Sequence, residues 1–261
     1  MDLGLAGRHA LITGASQGIG AETARVFAEE GCHLHLTARS AERLQALAAE
    51  LTAAHGVEVT VHPCDLEAPG EAAKLAAAAG AVDILVNNAG VIPGGSLLDV
   101  DEASWRAGWE LKVFGYINLT REVLRGMVAR GRGVIVNDIG NAGERLDAAY
   151  ICGTTGNAAL MAFTKAIGGH SLADHGVRVV GVNPGPVATD RMPKLLKKRA
   201  TDWFGDESRW EELLARYPLG RMATAREIAD AIVFLASDRS GYTSGTILTI
   251  DGGITSRNSI V

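Results

Sequence analysis

The chain predicts a doubly wound α/β fold, with about seven parallel strands in one sheet and helices on both faces. Short apolar runs rich in Val, Ile and Leu recur at residues 9–12, 33–37, 57–61, 84–86, 134–136, 177–182 and 246–250. They are too brief for helices and read as strands. Helical patterns such as 21–30, 41–54 and 122–129 lie between them. Alternation at this spacing requires parallel strands joined by crossover helices, which cover the sheet on both sides. With 47% apolar residues in 261, the chain can fill such a core. No repeat or low-complexity linker interrupts it, so residues 1–261 read as a single domain.

Taken in order, the first strand runs into Thr13-Gly14-Ala15-Ser16-Gln17-Gly18-Ile19-Gly20, and a helical pattern follows at once. Glycines permit a tight turn and close backbone approach, and the helix N-terminus offers unpaired N–H donors to a pyrophosphate. Strand, glycine turn and helix together form the dinucleotide-binding context of a Rossmann unit. The second strand ends in Ala38-Arg39-Ser40 with no carboxylate before Glu42. An acidic residue there would bind the ribose 2′-hydroxyl of NAD(H), whereas the Arg39 fork suits a 2′-phosphate and Ser40 adds a hydroxyl. NADP(H) is therefore the expected cofactor and NAD(H) the alternative.

The remaining elements add motifs in a fixed order. Pro63-Cys64-Asp65-Leu66 follows the third strand and Asn87-Asn88-Ala89-Gly90 the fourth. Asn183-Pro184-Gly185-Pro186-Val187-Ala188-Thr189 follows the sixth, and Asp251-Gly252-Gly253 closes the last. With the T-G-x-x-x-G-x-G spacing of the first loop, these motifs resemble the short-chain dehydrogenase/reductase family over essentially the whole chain. The resemblance implies an oxidoreductase that moves hydride between NADP(H) and a carbonyl or secondary alcohol. It places Gly14, Ser16, Gln17, Gly18, Ile19 and Gly20 around the pyrophosphate. Arg39 and Ser40 fall at the adenosine ribose, and Asp65 and Leu66 at the adenine. Asn88, Ala89, Gly90, Pro184, Gly185, Val187 and Thr189 fall near the nicotinamide half.

The same resemblance implies a catalytic tyrosine, a lysine four residues later, a serine on strand five and an asparagine on the preceding helix. Aligned without gaps on Asn157-Ala158-Ala159-Leu160 and Phe163-Thr164-Lys165, those positions hold Gly153, Asn157, Gly140 and Lys112 respectively. A second register makes Tyr150 the catalytic tyrosine, with Thr154 in place of lysine and a three-residue insertion before Phe163. In the gapless register asparagine and lysine have exchanged places, which points to Lys112, also expected near the nicotinamide ribose, and Tyr150 as a rearranged acid/base pair, with room for a larger side chain or a bulkier substrate left by Gly140 and Gly153. A phenol titrates near 10 and needs such a neighbour to work at neutral pH. The rival readings are a catalytically inactive dinucleotide-binding protein, acting as a sensor or assembly subunit, and an enzyme whose proton comes from substrate or water. Asp138, at the end of strand five, reads as a structural residue.

Residues 190–218 break the strand–helix rhythm and carry Lys194, Lys197, Lys198, Arg199, Trp203, Phe204 and Trp210. They read either as a substrate lid, whose cations would attract an anionic substrate, or as a solvated helical pair over tucked aromatics. The net charge of -5 offers no basic surface to nucleic acid or anionic lipid. Cys32, Cys64 and Cys152 have no disulfide or ligand spacing, the histidines are scattered, and no metal is expected. No leader pattern or membrane-length apolar run is present, which points to a cytoplasmic protein. Small residues Ala158, Ala159, Ala162 and Ala166 on one helix suit close approach in a homotetramer or homodimer, as the family resemblance implies.

Overall fold

A computed structural model describes residues 1–190 and 192–257, apart from the side chains of Lys194 and Leu195. The elements run β1 (His9–Thr13), α1 (Gly18–Glu29), β2 (His33–Ala38), α2 (Ala41–His55), β3 (Val59–Pro63), α3 (Glu71–Ala79) and β4 (Ile84–Asn87). They continue with α4 (Glu102–Trp109), α5 (Gly115–Arg130), β5 (Gly133–Asp138), α6 (Ile151–His175) and β6 (Val177–Pro184). The chain ends with β7 (Val187–Ala188), α7 (Met192–Phe204), β8 (Ala223–Thr224), α8 (Ala225–Ala236) and β9 (Ile247–Ile250). All pairings in the main sheet are parallel, in the order β3-β2-β1-β4-β5-β6-β9. The fold is the doubly wound Rossmann architecture that the alternating pattern predicts.

Period-two alternation divides the core. Ala10 and Ile12, with Leu34, Leu36, Ile84, Val86, Val134 and Val136, pack under α1, α2 and α8. Leu11, Leu85, Ile135 and Val179 point the opposite way, against Leu75 of α3 and Leu119, Val123 and Met127 of α5. A strand buried on both faces must be apolar at consecutive positions, which is why the strands appear as continuous runs. Strand order reverses at β1 and β4, so a crevice opens beyond their carboxyl ends, where ligands of such sheets bind.

Two departures from the sequence expectation affect the site. The helix expected over 122–129 begins at Gly115. Between α4 and α5 the residues Glu110–Phe114 form one π-helical turn, with Lys112 at its middle. The 190–218 excursion folds as α7 followed by 3-10 turns at Glu207–Arg216 and Pro218–Gly220. Leu196, Ala200 and Leu213 form a small core of its own, with Phe204, Trp210 and Tyr217 packed around it. The pairing of β7 with β8 ties the two ends of this excursion together.

Candidate active site

A cleft of about 510 Å³ lies at the switch point, bordered by the glycine loop, the ends of β2 to β5, the π turn and the start of α6. Its floor is a locked crossing of two loops. The Thr13 hydroxyl accepts from the backbone N–H groups of Asn88 (2.8 Å) and Ala89 (2.9 Å), while the Asn88 amide donates to the Thr13 carbonyl at 2.8 Å. Gly14 and Gly18 have φ of +67° and +59°, a region that side chains disfavour. At Gly20 a Cβ would stand 2.4 Å from the Gly14 carbonyl and 2.5 Å from the Asn88 amide, so only glycine lets α1 begin this close. No side chain caps α1, which leaves its first N–H groups available to an anion.

At the β2 end, Arg39 is exposed and ion-paired with Glu67 at 3.8 Å, and Ser40 accepts from the backbone N–H of Arg43 as the cap of α2. Arg43 also borders the cleft and donates to the Gln17 side chain at 2.5 Å. Reading the strand end alone misses Arg43, although its place four residues beyond Arg39 on the following helix was available as a signal. Of the expected cofactor residues, Gly14, Ser16, Gln17, Gly18, Ile19, Arg39, Ser40, Asp65, Leu66, Asn88, Ala89, Gly90, Lys112 and Thr189 border the cleft. Gly20, Pro184, Gly185 and Val187 stand behind it. Gly185 has no room for a Cβ against Asp251, and Val187 is tied to Ala223 in the short sheet.

The other end of the cleft collects Lys112, Asp138 and Tyr150. The Lys112 stem lies against Gly90, where a Cβ would fall 2.4 Å from its Cδ. Its Nζ donates to the main-chain carbonyl of Asp138 (2.6 Å) and to the Tyr116 hydroxyl (2.9 Å), and Tyr116 donates to the same carbonyl at 2.8 Å. Tyr116, one helical turn beyond Lys112, is a fully buried positioning group that sequence reading passed over. Burial lowers Lys112 to about 8, with the Asp138 charge opposing the shift. Burial likewise raises the Asp138 carboxyl to about 6 against the pull of Lys112, and holds the Tyr116 phenol well above its ordinary range.

The glycines at the family's serine and tyrosine positions open no extra room. A Cβ on Gly153 would lie 2.0 Å from Cε1 and 2.1 Å from Cζ of Tyr150, so the ring of Tyr150 folds back over the space that Gly153 leaves. A Cβ on Gly140 would meet the Asn157 amide nitrogen at 2.9 Å, and Asn157 donates to the Gly140 carbonyl at 3.3 Å. Of the two expected uses of this space, a larger side chain has taken it at both positions rather than a bulkier substrate. Asn157, Gly140 and Gly153 do not themselves border the cleft. On α7, Lys197 and Lys198 are exposed and Arg199 stacks on Trp203. The Lys194 side chain lies outside the described residues. Among the described residues no cluster of His, Cys, Asp or Glu is placed to hold a metal ion, and no helix is long and apolar enough to cross a membrane.

The family model described as Enoyl-(Acyl carrier protein) reductase matches residues 14–255. The chain is 37% identical over 252 residues to the 2-keto-3-deoxy-L-fuconate dehydrogenase of Xanthomonas campestris, covering 95% of this chain and 80% of the relative. It is also 37% identical to the L-xylulose reductase of Mesocricetus auratus, across 97% and 98% of the two chains. Among solved structures it resembles L-sorbose reductase from Gluconobacter frateurii in complex with NADPH and L-sorbose. That likeness has a TM-score of 0.90 and 32% identity, over 98% of this chain and 100% of the other.

Proposed function

Because the chain belongs to the short-chain dehydrogenase/reductase family, NAD(P)-dependent oxidoreductases of CH–OH and carbonyl groups, we propose that it interconverts a sugar-type ketone and its alcohol with NADP(H), using Lys112 and Tyr150 in place of the family's tyrosine–lysine pair. The observation that carries the rearrangement is the Tyr150 ring, which covers Gly153 and borders the same cleft as Lys112. Two helices thus supply what one helix supplies in the family pattern.

The cleft fits the cofactor: its loop excludes a Cβ at Gly20, and the uncapped start of α1 faces the anion site. Residues 14–20 would hold the pyrophosphate, Asp65 and Leu66 the adenine, and Arg39 with Arg43 the 2′-phosphate. NADP(H) supplies or accepts the hydride. Lys112, held by the Asp138 carbonyl and Tyr116, keeps a cation at the cleft wall, and a cation beside a phenol favours the phenolate. Tyr150 then exchanges a proton with the substrate oxygen.

A polyhydroxy ketone or alditol is the favoured substrate, in keeping with the L-xylulose and L-sorbose reductases, while the 2-keto-3-deoxy-L-fuconate relative is named for a sugar acid. An anionic substrate would draw on Lys197 and Lys198, which do not border the cleft. Exposed Ala162 and Ala166 on α6 suit packing against a second copy in a homo-oligomer.

The test is turnover of L-xylulose and L-sorbose with NADPH. Tyr150→Phe should lower kcat by about 10²–10⁴-fold, the usual worth of an acid/base group, with cofactor affinity kept. Lys112→Met should weaken both turnover and NADPH binding. Full activity in Tyr150→Phe would sink the rearranged pair.

A further inference from the structure

The carboxyl of Asp138 has no role in the pair just described, yet its placement is hard to explain as structural. The residue ends β5 in the middle of the sheet, is only 6% exposed, and borders the cleft. Its main-chain carbonyl is bonded twice, by Lys112 and Tyr116. Its carboxyl receives no hydrogen bond and no ion pair from any described residue. Its oxygens are not among the sealed unpartnered atoms, so they open onto the cleft from a largely desolvated corner, where a carboxylate is drawn toward its neutral form. Lys112 stands in the same corner through its bond to the Asp138 backbone. The other titratable groups around that corner are Tyr116 on α5, Tyr150 before α6, and Asp190 beyond β7.

We propose that Asp138 is the relay group that exchanges the reaction's proton between the cleft and Lys112. This inference rests on the reading that Lys112 and Tyr150 manage the proton. In reduction the substrate C=O becomes CH–OH by gaining a hydride at carbon and a proton at oxygen, and the Tyr150 O–H bond breaks to give that proton. The phenolate takes a proton from the Lys112 ammonium. The amine so formed takes the carboxyl proton of Asp138 through cleft water, and the carboxylate regains a proton from solvent. Oxidation runs the same transfers in reverse. Burial moves the two groups toward each other, the carboxyl up to about 6 and the ammonium down to about 8, so transfer between them lies far nearer balance than between the free groups.

The test has one arm without cofactor or substrate. Carboxyl 13C NMR of the apo protein, assigned with Asp138→Asn, should show a carboxyl titrating well above the ordinary Asp range. The Lys112 ε-carbon should respond in that same step. An Asp138 that titrates normally while Lys112 stays silent would overturn the relay, whatever the substrate proves to be. In the activity arm, Asp138→Asn should lower kcat for reduction by about 10²-fold or more, with KM little changed and the fall in rate as pH rises through the carboxyl's titration lost. Formate should restore part of the activity of Asp138→Ala, a rescue that a packing role would not give. If Asp138→Asn keeps its kcat and pH profile while Tyr150→Phe loses activity, the relay is refuted and the Lys112–Tyr150 pair stands. If Tyr150→Phe keeps full activity, the pair falls, and the relay as drawn falls with it.

Discussion

Gly153→Ala tests the site at the point where its geometry is tightest. The new methyl would arrive 2.0 Å from Cε1 and 2.1 Å from Cζ of Tyr150, well inside contact distance, so ring and methyl cannot coexist as placed. If the ring stays, overpacking costs about 1–3 kcal/mol. If it swings out, that cost disappears, and the helix recovers up to about 1 kcal/mol from replacing glycine in the first turn of α6. The second path is cheaper, because Tyr150 precedes the helix, where its ring packs beside Ile92, Trp105 and Trp109 at the cleft border. The expected variant is therefore folded, with a Tm within a few degrees of the parent, and binds NADPH normally. Its kcat should fall by about 10²–10⁴-fold, as in Tyr150→Phe. Thermal denaturation, NADPH fluorescence titration and turnover of L-xylulose measure the three quantities. Wild-type kcat in a stable Gly153→Ala variant would mean that the position of the Tyr150 ring does not matter to the chemistry.

Two other perturbations have equally definite outcomes. Arg43→Ala should weaken NADPH binding about tenfold or more, the worth of a charge-assisted contact of about 1.5–3 kcal/mol, and leave NADH unchanged; parallel losses on both cofactors would remove Arg43 from the 2′-phosphate site. The folded Asp138 carboxyl titrates near 6, above its unfolded value near 4, so the folded state binds more protons between those values and stability falls as pH rises through that window. Asp138→Asn should lack this fall. The stability difference between the two proteins should therefore shift by about 2 kcal/mol between pH 4 and pH 7, read from urea denaturation, and a constant difference would place the carboxyl at its ordinary value.

What could be read in advance follows from how local each cause is. The strands announce themselves because Val134 to Val136 and Val177 to Val182 are buried on both faces and have to be apolar throughout. The glycine loop is legible because the positive φ of Gly14 and Gly18 and the close approach at Gly20 all favour glycine. The capping box of α8, Thr224 with Glu227, was equally open to view as a T-x-x-E pattern and went unread. Tertiary placement was not local. Nothing near Tyr150 in the chain says that its ring covers Gly153. Asp138 looks like a strand terminator until its carboxyl is seen to open on the cleft with no partner among the described residues. The joint hold of Lys112 and Tyr116 on one carbonyl depends on how α5 docks against β5.

The wide turn at Glu110–Phe114 has a consequence for how this protein could change. Such a turn is an α-helix carrying one residue more than regular winding accommodates. On its N-terminal side Trp109 is fastened to the Cys152 carbonyl at 3.1 Å, and on its C-terminal side Leu119 and Val123 are sunk in the core. Each residue of a regular helix turns the rod by about 100°, and the wide turn absorbs the surplus residue without passing that rotation on. Deleting one residue within it would restore regular winding with both anchorages still seated, and would move chiefly the side chains of the turn itself, Lys112 among them. A regular helix through the same number of residues would instead turn one anchorage away from its seat, so the wide turn is what lets both ends stay docked around Lys112.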